Sequence, residues 1–82
     1  MLFNSGFALE SAKAFARLLL QFSADPSARV THAFLRCYAR EPSRQEMHEA
    51  LEFITSTSGS ELESWSDFAL ALLNSHEFVY VP

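Results

Sequence analysis

The chain has 82 residues, 49% of them hydrophobic, with eight Phe, two Gly and a net charge of −4. That length holds one domain, and that apolar content argues against disorder. The single Cys37 excludes an internal disulfide or a Cys-rich metal site, and the overall acidity argues against nucleic acid as a partner.

The first predicted helix begins after Ser5, a favoured N-cap. Phe7, Ala8, Ala12, Phe15, Ala16, Leu19 and Phe22 recur at helical spacing. Leu18 and Leu20 widen this apolar face, as in a central helix. Ser23-Ala-Asp-Pro26 stops it. Asp25 and Pro26 then open a second helix as N-cap and first helical residue. Its inner stripe is Val30, Ala33, Phe34, Cys37 and Tyr38, which makes Cys37 a buried structural thiol rather than an intermolecular one. Glu41-Pro42 is the expected stop, because the residue before Pro is pushed out of helical geometry.

Ser43-Arg-Gln-Glu46 reads as a capping box that starts a third helix. Met47, Ala50, Leu51 and Ile54 are its inner positions. The polar run over residues 55–60 is a loop, with Gly59 as its flexible point. Ser60-Glu-Leu-Glu63 is a second capping box, with Ser64 as a later alternative start. Leu62, Trp65, Phe68, Ala69, Leu72 and Leu73 form the inner face of the fourth helix. Phe78-Val-Tyr-Val81 has strand-like composition but no second strand to pair with, so it reads as an extended tail. The expected fold is all-α, a compact bundle of about four helices with an extended C-terminal tail, spanning residues 1–82 as one domain. Short connections favour antiparallel neighbours.

Charge divides the chain. Residues 1–44 carry all six basic side chains and three acids, a net +3, while residues 45–82 carry seven acids and no base, a net −7. The plain reading is two halves that attract as neighbouring helices; the sharper one is a basic face for an anionic partner. Arg29, Arg36 and Arg40 sit at i, i+7 and i+11 and share one helical face, with Arg44 beyond it. Arg pairs bidentately with carboxylates, either internally, with Glu46, Glu49 or Glu52, or on an external partner. Glu77, in Asn74-Ser-His-Glu-Phe78, is a candidate to close the unit by pairing with an Arg of the second helix.

Other chemistry is thin. His48 and Glu52 lie one helical turn apart and could share a metal, but a site needs at least three ligands. His32 reads as partly exposed and His76 as a turn residue. No Gly-x-Ser-x-Gly nucleophile elbow is present, nor is a Gly-rich phosphate loop. No run approaches the roughly 20 apolar residues that span a membrane, and the N-terminus lacks the pattern of a signal peptide. Neither an enzyme nor membrane insertion is expected, and no cofactor is assigned.

Three segments carry a family resemblance. One is Trp65-Ser-Asp-Phe-Ala-Leu-Ala-Leu-Leu-Asn-Ser-His-Glu-Phe-Val-Tyr-Val81. The second is Arg29-Val-x-x-Ala-Phe-Leu-x-x-Tyr38-Ala-Arg-Glu-Pro42-Ser-x-x-Glu46. The third is Asn4-Ser5 before an Ala-rich helix. Together they resemble the C-terminal part of a planctomycete family, the domain of unknown function fifteen-fifty-three. Gly6 stands where that family commonly has Pro, and His76 where it has Asn.

The resemblance implies the C-terminal piece of a longer exported protein, periplasmic or at the cell surface. It also implies a cytochrome-c-like haem domain elsewhere in such proteins. That haem would need Cys-x-x-Cys-His, which this chain does not contain. No catalytic residue carries over. The expected function is a non-catalytic helical module that docks on the preceding domain of its parent chain or on another protein. The alternative is a small ligand- or metal-binding domain using the Arg29/Arg36/Arg40 face or His48 and Glu52. A docking module should expose an apolar patch, for which Leu2, Phe3 and residues 78–81 are the candidates.

Overall fold

A computed structural model describes residues 5–74 of the chain, with side chains from residue 8 onward. Four helices follow one another: α1 (Ser5–Phe22), α2 (Pro26–Tyr38), α3 (Arg44–Ser56) and α4 (Glu61–Leu73). Among the described residues there is no strand. The fold is an all-α bundle. The expected tail at 78–81, Glu77 and His76, and the candidate patch residues Leu2 and Phe3 lie outside the described residues.

Three helix starts are set by local side-chain chemistry. The Asp25 carboxylate accepts from Ser27 N at 3.2 Å, with Pro26 in the first turn of α2. Both capping boxes form. Ser43 Oγ accepts from Glu46 N at 3.1 Å while Glu46 Oε1 accepts from Ser43 N at 2.8 Å. Ser60 and Glu63 repeat the exchange at 3.1 and 2.9 Å. Ser64, the later alternative, is instead buried inside α4 and donates to Thr57 O at 3.3 Å.

Three boundaries differ from the expectation. Helix α1 includes Ser5 rather than beginning after it. Helix α2 ends at Tyr38, before Glu41-Pro42, because Ala39 adopts left-handed backbone (φ 58°, ψ 31°) and its N–H caps Leu35 O at 3.0 Å. Helix α3 runs on through Ser56. There Thr55 Oγ1 donates to Leu51 O at 2.7 Å and Ser56 Oγ to Phe53 O at 3.2 Å. The hydroxyls that read as loop chemistry turn back onto the helix. The turn into α4 favours Gly59, whose φ of 113° is one that L side chains rarely adopt.

The core joins Ala16 and Leu19 of α1, Val30, Ala33 and Phe34 of α2, Ala50 of α3, and Trp65, Phe68 and Leu72 of α4. Helices α2 and α4 each pack against all three others, whereas α1 packs chiefly on α4. The broad apolar face of α1 predicted a central helix. Instead, Leu18 and Leu20 lie at the margin of the core, and Phe22 is 52% exposed. Alanines at positions 8, 12 and 16 of α1 are all buried. Small side chains there let α4 approach closely, and the large residues sit to either side.

Candidate functional site

The four arginines of the candidate face are separated by the fold. Arg29 lies about 40° around α2 from buried Ala33, on the border of the core, and is only 6% exposed. Its Nη1 donates to Glu61 Oε2 at 2.9 Å, its Nη2 to Leu20 O at 3.4 Å, and its Nε to Ser23 O. Its Cζ sits 5.3 Å from the Trp65 ring centroid. Helix α1 has no basic residue in its last turn. Arg29 therefore reaches across from α2 to cover carbonyls at the end of α1, where a cation is favourable.

Arg40 stands past the end of α2, beyond the Ala39 turn. It forks onto Glu46, Nη1 to Oε1 at 2.9 Å and Nη2 to Oε2 at 3.0 Å, and Nη1 also donates to Glu41 O at 3.1 Å. Its Cζ lies 5.6 Å from both the Phe34 and Tyr38 ring centroids. This fork, with the Ser43 N–H, holds the Glu46 carboxyl down at about 2. Arg36 and Arg44 are exposed. The shared stripe thus divides into a buried strut, an exposed cation and a bidentate clamp. Both Arg–Glu pairs link the basic half of the chain to the acidic half.

His48 Nε2 and Glu52 Oε1 are 3.9 Å apart on α3, both well exposed. Among the described residues no group of three His, Cys, Asp or Glu could hold a metal ion. Cys37 is half-buried, and that burial pushes its thiol upward against a smaller opposing pull from Arg36.

Two concavities matter, and neither follows from the expected helix faces. The first is a groove of about 310 Å³ lined by Phe22, Ser27, Ala28, Thr31, His32 and Leu35. Phe22 and His32 stack there with ring centroids 3.9 Å apart and planes within 7°. Leu35 is 45% exposed beside them. The sequence signal was available: Phe22 ends its helix one turn past Leu18 and Leu19, and the chain turns away from α1 at Ser23. The second is a cleft of about 330 Å³ between α1 and the start of α4, lined by Leu9, Lys13, Ser60, Leu62, Glu63, Ser66 and Asp67. Ser66 is 8% exposed, and among the described residues its Oγ has no hydrogen-bond partner. A Ser one turn from Leu62 and beside Trp65, in an otherwise apolar stripe, was its sequence mark.

No family model, curated protein or solved structure matches this chain. None of the described helices is long and apolar enough to cross a membrane.

Proposed function

We propose that this chain is a non-catalytic helical module of a larger exported protein, and that it docks onto the domain preceding it in the parent chain. The observation that carries this reading is the exposed apolar groove on α1 and α2. Phe22 and Leu35 expose large apolar surface to solvent there, with Ala28 beside them in the groove wall. Large apolar side chains exposed side by side on one groove are a feature of interaction sites. The engagement of Arg29 and Arg40 with carboxylates of the same chain supports docking over an anion-binding arginine face. The resemblance to the planctomycete domain supplies the context of a longer exported parent.

The test is to clone the native locus and compare this chain with the longest open frame that ends in it. Amide shifts at Phe22, His32 and Leu35 should move in the longer protein, and their exchange with solvent should slow. A double change, Phe22→Ser with Leu35→Ser, should release the preceding domain while leaving the helical bundle folded. An upstream stop codon, or identical shifts in both proteins, would remove the proposal.

A further inference from the structure

We propose that the cleft between α1 and the first turns of α4 binds a small zwitterion, an α-amino acid with an apolar side chain. Its walls come from two helical faces. Leu9 and Lys13 lie at i and i+4 on α1, and Glu63, Ser66 and Asp67 at i, i+3 and i+4 on α4, so each set projects from one side of its helix. Leu62 adds apolar surface one turn before Ser66.

Three polar side chains of this cleft, Lys13, Ser66 and Asp67, are without partners among the described residues. A buried hydroxyl without a partner destabilises the protein that holds it, and native structures keep few of them. Ser66 Oγ is such a group, sealed from solvent within a residue that lines the cleft. Lys13 and Asp67 line the same cleft, and among the described residues neither side chain takes part in an ion pair or a hydrogen bond. Glu63 differs, since its Oε1 is held by Ser60 N at 2.9 Å, which fixes its carboxylate at the rim.

The charge pattern selects the ligand. A simple anion would meet Asp67 and Glu63, and a simple cation would meet Lys13. A molecule carrying both charges satisfies both: its carboxylate faces Lys13, and its ammonium faces Asp67. Turned toward the cleft, the Ser66 hydroxyl can donate to that carboxylate or accept from that ammonium. Leu9 and Leu62 are placed for an aliphatic side chain. A single water occupies only about 30 Å³, a small part of the 330 Å³ cleft. The cleft volume falls at the lower end of the range for small-molecule pockets.

The experiment titrates the full 82-residue chain with L-leucine and follows amide shifts. Saturable shifts are expected at residues 9–13 and 62–67. Isopentylamine and 4-methylpentanoate each lack one charge and should bind at least about tenfold more weakly, the equivalent of roughly 1.4 kcal/mol. Lys13→Met and Asp67→Asn should each remove saturation. Ser66→Ala should weaken binding while raising the unfolding temperature of the free protein, a combination that a purely structural serine would not produce. The proposal is overturned if millimolar leucine moves no resonance in these two segments, or if the one-charge analogues bind as well as leucine. The analogue comparison uses the unaltered chain, so it decides the matter even if a variant fails to fold.

Discussion

Arg29 and Glu61, thirty-two positions apart, meet at 2.9 Å with the guanidinium almost wholly buried and the carboxylate in water. The pair is therefore lopsided. Glu61 gives up little hydration and can be replaced by solvent. Arg29 has left solvent behind and depends on Leu20 O, Ser23 O and the Trp65 face for the rest of its satisfaction.

Removing each partner should show that asymmetry. Arg29→Ala leaves carbonyls at the α1–α2 turn without their donor and opens space beside Trp65, at an expected cost of about 3 kcal/mol. Glu61→Gln should cost less than about 1 kcal/mol, as for exposed pairs. Urea unfolding of the two variants measures both, and equal losses would refute a strut role for Arg29.

Ala39 holds a left-handed backbone that L residues adopt at a cost of about 1–2 kcal/mol. Ala39→Gly removes that cost but loosens the unfolded chain by about 0.4–1 kcal/mol. The expected net gain is about 0.5–1 kcal/mol, read as a higher denaturant midpoint at unchanged slope.

Gly59→Ala should act in the opposite direction. Its φ of 113° is strained for alanine, and the added Cβ would overlap Glu63 Oε1. The loss should be about 1–3 kcal/mol. Adding Glu63→Ala should cost less in the Gly59→Ala background than in the parent chain, because the first change already disturbs the capping box. A double-mutant cycle checks this, and strict additivity would count against the clash.

Acid should release the Arg40–Glu46 fork. The folded Glu46 carboxyl is held at about 2, below the roughly 4.3 of an unfolded Glu. Its contribution is complete above the unfolded value and disappears as pH falls from about 4.3 through about 2. About a third of the Glu46 side chain is exposed, so solvent screening limits the effect to on the order of 1 kcal/mol. Glu46→Gln should flatten this part of the stability–pH curve, and an unchanged slope would refute the assignment.

Helix existence was legible because the signals were local. Asp25-Pro26 and the two Ser-x-x-Glu boxes each satisfy their own backbone donors within three or four residues, so they need no distant partner. The inner positions of α4 followed from spacing alone for the same reason. What periodicity could not show was how far along its axis each face is covered. Arg29, Arg36 and Arg40 project along one line on a helical wheel. Yet the α1–α2 turn and Glu61 lie over the first, the second is left exposed by the described residues, and Ala39 breaks the helix before the third. Phe22 failed similarly: the pattern marked it as inward, but its neighbours end one turn too soon. Lys13 and Asp67 were unreadable as a pair because only the packing of α1 on α4 brings them to one cleft.

Trp65 is the chain's single tryptophan, 2% exposed, with the Arg29 cation on its face and Phe68 edge-on at 5.7 Å. The molecule thus carries an intrinsic fluorophore at the junction of its helices, next to a charge that belongs to another segment. Emission should respond when α2 leaves α4, before the bundle has lost its helicity. Fluorescence and far-ultraviolet dichroism recorded on one unlabelled sample would then separate the undocking of helices from their melting.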